Sequence, residues 1–179
     1  MEIRCPTCVL RPLVPGDAAS LATHANDRDI WLNLRDGFPH PYGIADAEAY
    51  IATSSQRSRN TSFGIEVDGE VAGGISLRPG DDIARYASEI GYWLGRRHWG
   101  RGIVTDALRA ATRHALTDLG MHRVFALPFV RNDASRRVLE KAGYVLEGRL
   151  RYSAVKDGEV LDQWMYAAYA DAPRVGERA

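Results

Sequence analysis

Residues 97–102 read RHWGRG and lie between an apolar run at residues 90–94, IGYWL, and an amphipathic run that begins at Ile103. This order predicts a strand, a glycine-rich turn and a helix. Gly100 and Gly102 let the backbone approach a ligand closely, and the N–H groups of a helix's first turn point at whatever lies in front of them. The stretch therefore predicts an anion site, suited above all to a pyrophosphate.

A second motif, NDASRRVLEKAGY, occupies residues 132–144. Asn132 is a favoured helix N-cap, and Gly143 is expected to end the helix. The two motifs at this spacing resemble the GNAT superfamily of acyl-coenzyme A N-acyltransferases, and in particular its branch of ribosomal-protein N-terminal acetyltransferases. The resemblance extends from Leu10 to Tyr166, so it covers nearly the whole chain.

Strands and helices mix without strict alternation, which favours an α/β (α+β) fold with a mixed, mostly antiparallel sheet and helices on both faces. Asp68-Gly69 and Asp157-Gly158 are type I′ hairpin signals, and Asp17 is a candidate N-cap. The resemblance implies a twisted sheet that splays between its fourth and fifth strands, with acyl-CoA in the gap. The predicted strands are residues 9–14, 62–67, 71–77, 85–94, 122–129, 144–155 and 160–169, and the predicted helices are residues 18–22, 46–57, 101–119 and 133–142.

The length favours one domain over residues 1–179, with a core at about residues 8–170 and a frayed tail after 173. Lysine plus arginine and aspartate plus glutamate both total 23, so the chain lacks the basic excess of nucleic-acid-binding proteins. No apolar stretch approaches the ~20 residues of a membrane helix, and the N-terminus lacks a signal-peptide core. We expect a cytoplasmic protein without nucleic-acid or membrane partners. Its oligomeric state is open, and a homodimer is compatible with the sequence.

Metal binding is not predicted. Cys5 and Cys8 form a lone C-x-x-C, whereas a structural zinc site needs four ligands. The five histidines, at positions 24, 40, 98, 114 and 122, show no ligand spacing.

Contacts to acetyl-CoA follow from both motifs. The backbone of residues 97–103 is predicted to bind the pyrophosphate, with charge-assisted contacts from Arg97 and Arg101. The alternative is a glycine-rich turn that serves only geometry, with both arginines solvated. The resemblance implies that the pantetheine arm pairs with the strand edge and that Asn132 contacts the cofactor. The predicted cofactor residues are thus Tyr92, Trp93, Leu94, Arg97, His98, Gly100, Arg101, Gly102, Ile103, Asn132 and Ser135.

The resemblance also implies two catalytic residues. In several relatives a serine at the position of Ser135 protonates the departing thiolate; the alternative is that it only joins the hydrogen bonding of the helix's first turn. Relatives often carry a glutamate at the position of Glu89 that acts as a base through water, and the alternative is a strand carboxylate in an ion pair. Other relatives place a carboxylate in a later strand, but residues 151–154, RYSA, contain no acid.

The acceptor must present a neutral amine to the thioester. At pH 7 a lysine-like amine is neutral in roughly one molecule in two thousand, and an α-amine in roughly one in seven. A site whose general base is weak therefore favours an α-amine as acceptor. Residues 31–42 combine charge, aromatic rings and stiff backbone, as a recognition loop does. We expect the acceptor to contact this loop and the last hairpin, through Arg35, Asp36, Tyr42 and Tyr152.

The predicted function is N-acetyltransfer from acetyl-CoA to a primary amine, foremost a protein or peptide N-terminal α-amine, by direct attack in a ternary complex. One alternative is acetylation of a small polyamine or aminoglycoside. A polycation would favour an acidic pocket, and Arg35 beside Asp36 argues against one. The other alternative is a catalytically silent acyl-CoA-binding module.

Overall fold

Eight strands form one sheet in the computed structural model, which describes residues 1–56 and 61–171. The strand order is β1-β2-β3-β4-β5-β6-β8-β7. The strands are β1 (Ile3–Arg4), β2 (Val9–Arg11), β3 (Ser62–Val67), β4 (Glu70–Pro79), β5 (Ala87–Leu94), β6 (Arg123–Ala126), β7 (Val145–Lys156) and β8 (Glu159–Tyr169). The helices are α1 (Ala18–Ala25), α2 (Arg28–Trp31), α3 (Ile44–Gln56), α4 (Ile103–Thr117) and α5 (Asp133–Lys141).

The sheet opens between β5 and β6. This pair is parallel, and it is bonded only over Ala87–Glu89 and Arg123–Phe125, whereas β5 continues to Leu94. The other neighbouring strands are antiparallel. The predicted mixed sheet with a splay is therefore confirmed. The predicted fourth and fifth strands are β5 and β6 because the short β1 precedes them.

Helices cover both faces of the sheet, as predicted. On one face α4 and α5 pack against the sheet through residues such as Leu108 and Leu139. On the other face α1 and α3 do so through residues such as Leu21 and Ile51. No helix within residues 1–56 and 61–171 combines the length and apolar character that crossing a membrane requires.

Glycines follow two helices: Gly143 directly follows the C-cap of α5, as predicted, whereas α4 ends at Thr117, two residues before the predicted end, and Gly120 lies two residues after its C-cap. Gly120 follows α4 with a φ of 67°, and Gly143 follows α5 with a φ of 94°. Both values lie in the left-handed region that glycine adopts at little cost. Asp68-Gly69 and Asp157-Gly158 have positive φ at both positions, as a type I′ turn requires.

Three local predictions need correction, and two more fall outside the described residues. The strand predicted at residues 9–14 ends at Arg11, because Pro12 has no N–H to donate. Asp17 does not cap α1; its carboxylate accepts from Arg11 and from the backbone of Val14. The strand predicted at residues 122–129 ends at Ala126, close to Pro128. Arg57, the predicted end of α3, and the tail after residue 173 lie outside the described residues.

Candidate active site

A cleft of about 530 Å³ lies at the gap between β5 and β6. Its walls come from β5, the turn before α4, the first turn of α4, the start of α5 and the segment after α2. Its lining includes Asp29, Asn33, Arg35, Arg78, Glu89–Leu94, His98–Gly100, Gly102–Thr105, Asn132, Ser135, Arg137 and Lys141.

The turn before α4 presents backbone N–H groups to this cleft. Gly100 and Gly102 have φ values of 75° and 79°, and Gly102 occupies the N-cap position without a capping side chain. The first hydrogen bond into the helix runs from Asp106 N to Gly102 O at 3.1 Å. The N–H groups of residues 103–105 therefore have no acceptor inside the helix. Together with the helix dipole they suit an anion.

The edge of β5 also offers backbone groups to the gap. Gly95 N donates to Ala72 O at 2.8 Å, so the backbone groups of Gly95 face β4. Tyr86 O accepts from His122 N at 2.7 Å, so the backbone groups of Tyr86 face the other way, toward β6. Because backbone groups alternate along a strand, those of Tyr92 and Leu94 face the gap. The indole Nε1 of Trp99 donates to Leu94 O at 2.7 Å. The N–H groups of Tyr92 and Leu94 thus lie on the side where a ligand can pair with the strand.

The arginine side chains of the turn lie outside the cleft lining. Arg97 is exposed, and Arg101 donates to Asp68 and to Nδ1 of His98, each at 3.2 Å. Burial, aided by His24 and Arg101, lowers the pKa of His98, so its imidazole is neutral at pH 7. The lining does contain two cations of α5, Arg137 and Lys141, which sequence reasoning missed. Their i, i+4 spacing on α5 was the available signal.

Ser135 lines the cleft and is held from two sides. Asn132 Oδ1 accepts from Ser135 N at 3.0 Å, so the predicted N-cap is present. The hydroxyls of Ser135 and Tyr92 are 2.8 Å apart, and either can donate to the other. Burial raises the pKa of Tyr92, against an opposing effect of Ser135. The phenol therefore keeps its proton at neutral pH.

Glu89 also lines the cleft, between two arginines. Its carboxylate accepts from Arg35 Nη2 and from Arg78 Nη2, the latter at 3.2 Å. Only 17% of its side chain is exposed, against 62% for Arg35. The ion pair that was the alternative to a base is thus present, and the carboxylate still lines the cleft.

The four predicted acceptor residues do not come together. Arg35 lines the cleft, whereas Asp36 accepts from Lys156 Nζ at 2.9 Å and lies outside the lining. Tyr42 is buried against Phe38, and burial raises its pKa to about 12. Tyr152 is 81% exposed on β7, also outside the lining.

Asn33 is a cleft residue that sequence reasoning missed. Its Nδ2 donates to Asp29 O at 2.8 Å, and its buried Oδ1 accepts no hydrogen bond. Asn33 and Asp29 also line a second, adjoining cavity of about 450 Å³ beside Asn132. Nothing in the local sequence distinguishes Asn33 from an ordinary loop asparagine.

Residues 8–145 match the family model of the acetyltransferase (GNAT) domain. The chain belongs to the GNAT acetyltransferase family. It is 32% identical over 167 residues to the probable N-acetyltransferase YjcK of Bacillus subtilis, which covers 85% of this chain and 88% of that protein. It is also 32% identical to the ribosomal-protein-serine acetyltransferase of Escherichia coli, over 65% of each chain.

Solved structures agree with this assignment. RimJ of Mycobacterium smegmatis, solved in complex with CoA-disulfide, superposes with a TM-score of 0.83 at 26% identity, over 96% of this chain and 87% of that one. This GNAT member is therefore an acetyltransferase of the branch that includes the ribosomal-protein enzymes, as the resemblance of the two motifs predicts.

Proposed function

We propose that this acetyltransferase transfers the acetyl group of acetyl-CoA to the α-amine of a protein or peptide N-terminus, by direct attack in a ternary complex. The observation that carries the proposal is the gap in the sheet, which has Tyr92 and Ser135 on one face and Glu89 on the other. Successive side chains of β5 point to opposite faces of the sheet. Tyr92 packs on the face that α4 covers, and Trp93 packs on the face that α1 covers. Glu89 is four residues before Trp93, so its side chain is on the same face as that of Trp93.

The cofactor side fits acetyl-CoA. The N–H groups at the start of α4 suit its pyrophosphate, and Arg137 and Lys141 add positive charge along the same cleft. The edge of β5 can pair with the pantetheine amides in the manner of an added strand. The relative from M. smegmatis was solved in complex with a CoA-derived ligand, which supports this choice.

Acyl transfer then needs three events at the gap. The amine nitrogen attacks the thioester carbonyl, and a C–N bond forms as the carbonyl oxygen becomes an oxyanion. A backbone N–H on the β5 edge, at Tyr92 or Leu94, is placed to stabilise that oxyanion. The C–S bond then breaks, and the thiolate takes a proton.

Ser135 supplies that proton in this proposal and takes one from Tyr92, and solvent water reprotonates Tyr92 once the thiol has left. The phenol stays protonated because its pKa is raised, and it lies 2.8 Å from the serine oxygen. Donation from Tyr92 to Ser135 leaves the serine proton directed into the cleft. This pairing makes the protonating group a two-residue relay rather than an isolated hydroxyl.

Glu89 takes the amine proton through water. Arg35 and Arg78 donate to its carboxylate and hold its orientation, and any carboxylate is a weak base beside an amine. A weak base suits an α-amine better than a lysine amine, because roughly one α-amine in seven is already neutral at pH 7. The two arginines also offset the negative charge of Glu89, so this part of the cleft has no excess of negative charge to attract a polycationic acceptor.

An acceptor panel tests the proposal. Thiol release from acetyl-CoA is measured with peptides that have a free α-amine, the same peptides with a blocked N-terminus and one lysine, spermidine, and an aminoglycoside. We expect the free α-amine peptides to give the highest kcat/KM. Faster turnover of spermidine or the aminoglycoside would favour the small-molecule alternative. Binding of acetyl-CoA without single-turnover transfer to any acceptor would favour the silent module.

A further inference from the structure

Three side chains from distant parts of the chain meet behind the glycine turn. His24 lies on α1, Glu70 begins β4, and His98 precedes Gly100. One donor atom from each lies within 4.8 Å of the other two. His24 Nε2 is 3.1 Å and His98 Nε2 3.8 Å from Glu70 Oε1. The two imidazole rings have their centroids 5.2 Å apart.

One of these donor atoms makes no hydrogen bond. The side chain of His98 is 9% exposed, and its Nε2 is buried without a hydrogen bond. This nitrogen points toward Glu70 beyond hydrogen-bonding distance. The side chain of His24 is 3% exposed, whereas Glu70 is half exposed and gives the cluster access to solvent. A buried nitrogen without a partner is costly unless something else occupies the position beside it.

We infer that His24, Glu70 and His98 form a binding site for a divalent transition metal, foremost zinc. Two imidazoles and one carboxylate are a ligand set that zinc takes, with a fourth position left for water. Zinc–ligand bonds of about 2.1 Å at tetrahedral angles place neighbouring donors roughly 3.4 Å apart. The distances of 3.1 and 3.8 Å bracket that value. His98 also lines the acetyl-transfer cleft, but the inference does not rest on the proposed function.

Arg101 gives the inference a specific consequence. Its Nη1 donates to His98 Nδ1 at 3.2 Å, so the proton of the neutral ring lies on Nε2. A metal bound at Nε2 displaces that proton, and the ring then carries a proton on Nδ1 instead. Nδ1 can no longer accept, so Arg101 must rely on its other partner, Asp68. Metal binding and the Arg101–His98 hydrogen bond therefore exclude each other, and removal of Arg101 should strengthen metal binding.

Metal titration of the full chain after dialysis against a chelator tests the inference. We expect one equivalent of Zn²⁺ to bind, measured by calorimetry, and to raise Tm. Co²⁺ should give the intense visible absorption of four-coordination without a sulfur charge-transfer band. That pattern excludes Cys5 and Cys8 as ligands, and a Cys5→Ser, Cys8→Ser variant should bind equally well.

Variants decide which residues hold the metal. We expect His98→Ala, His24→Ala and Glu70→Gln each to weaken Zn²⁺ binding at least about tenfold. Of the three variants, Glu70→Gln should disturb the fold least, because the side chain is half exposed and the amide oxygen still accepts from His24. His40→Ala, an exposed histidine outside the cluster, is the matched control and should bind as the parent does. Arg101→Gln should bind more tightly.

Two results would overturn the inference. The first is a parent protein that shows neither a Tm shift with Zn²⁺ nor visible absorption with Co²⁺. The second is metal binding that Glu70→Gln and His98→Ala leave unchanged. In either case the three side chains form only a packed polar cluster.

Discussion

At the scale of single residues, the hydroxyl pair of Ser135 and Tyr92 makes a kinetic prediction. If Ser135 protonates the thiolate, Ser135→Ala should lower kcat by roughly 10²–10⁴-fold with little change in acetyl-CoA affinity. Tyr92→Phe removes only the second member of the relay and should lower kcat less. Because the two hydroxyls are in contact at 2.8 Å, the double variant should be no slower than Ser135→Ala alone. Steady-state kinetics of the four proteins measures this.

A loss of acetyl-CoA affinity with kcat preserved would contradict that role. Ser135 would then be a cofactor contact and part of the helix cap, held by Asn132.

Glu89 makes a prediction about pH. Glu89→Gln keeps the shape of the side chain but removes its basicity. The rate with an α-amine peptide should fall most at low pH, where the amine is charged, and recover at high pH as the amine loses its proton unaided. A lysine acceptor should lose more, because its deprotonation costs roughly 4–5 kcal/mol at pH 7. Profiles of kcat/KM against pH with both acceptors measure this.

Equal activity of Glu89→Gln and the parent at pH 6.5 with both acceptors would show that Glu89 is not the general base. Glu89 would then serve only to hold Arg35 and Arg78.

The same residues show how far sequence reasoning reaches. Ser135 and Asn132 could be identified because a helix start depends on neighbours three residues away. The surroundings of Glu89 could not be, since Arg35 lies 54 residues away in a loop without periodic structure. Tyr42 was placed in the acceptor site by its aromatic character, but the same character places it in the core.

At the scale of elements, the turn before α4 can be tested against the other end of the same helix. Gly102 and Gly120 both have positive φ, and a Cβ added at either meets nothing within 4 Å. A valine at either position is therefore strained by its backbone alone. Gly102→Val should abolish the rise in Tm that acetyl-CoA causes in the parent. Gly120→Val should lower Tm similarly but keep the rise, because Gly120 is outside the cleft.

A melting scan with millimolar acetyl-CoA measures both variants. The absence of any shift in the parent, or equal shifts in the two variants, would remove the turn from the cofactor site.

Element boundaries were predicted best where one residue type determines them. Gly143 ends α5 as expected, and Gly120 lies within two residues of the C-cap of α4. α2 was missed because it has four residues, too few for a periodic apolar pattern, although Asp27 caps it by accepting from Asp29 N and Ile30 N. Asp17 was misassigned because a carboxylate before a helix can also bind an arginine, and Arg11 lies within reach.

At the scale of the whole molecule, the partly buried ion pair of Arg11 and Asp17 predicts acid sensitivity. Burial raises the pKa of Asp17, but the hydrogen bonds from Arg11 and from Val14 N lower it by more than burial raises it. The pKa of Asp17 therefore lies below its ordinary value. A lowered pKa in the folded state stabilises the protein above the unfolded pKa, about 3.9, and this stabilisation is lost as the pH falls through the folded value. Unfolding free energy should therefore decrease below about pH 4.

Urea unfolding between pH 7 and pH 3 measures this. Asp17→Asn should be less stable than the parent at pH 7, and its stability should depend less on pH in the acid range. Asp118→Asn is the control: the pKa of Asp118 is also lowered, first by His114, but the carboxylate is exposed and should matter little. Identical acid profiles of the parent and Asp17→Asn would contradict the prediction.

Long-range assembly was the part that the sequence could not predict without the resemblance. Local patterns predicted the strands and the strand–turn–helix unit, and the splay came from the resemblance rather than from any spacing. No sequence pattern predicted that His24, Glu70 and His98 lie together, because each comes from a different element. Contacts of this kind depend on how the elements pack, which short-range periodicity does not record.

The contact between Lys156 and the loop of residues 31–42 carries the last prediction. The side chain of Lys156 is 1% exposed; its Nζ lies 4.0 Å from the ring centre of Trp31 and 2.9 Å from Asp36 Oδ1. Lys156→Met keeps the apolar stem and removes the charge, so the loop that contributes Arg35 to the cleft should loosen. We expect a loss of roughly 1–2 kcal/mol in unfolding free energy, the value of a desolvated cation–π contact, and a higher KM for the acceptor with the KM for acetyl-CoA unchanged. Arg28→Met is the control, because the Arg28–Asp157 pair is exposed and should contribute under about 0.5 kcal/mol. If both variants change the acceptor KM equally, burial of Lys156 is not what positions the loop.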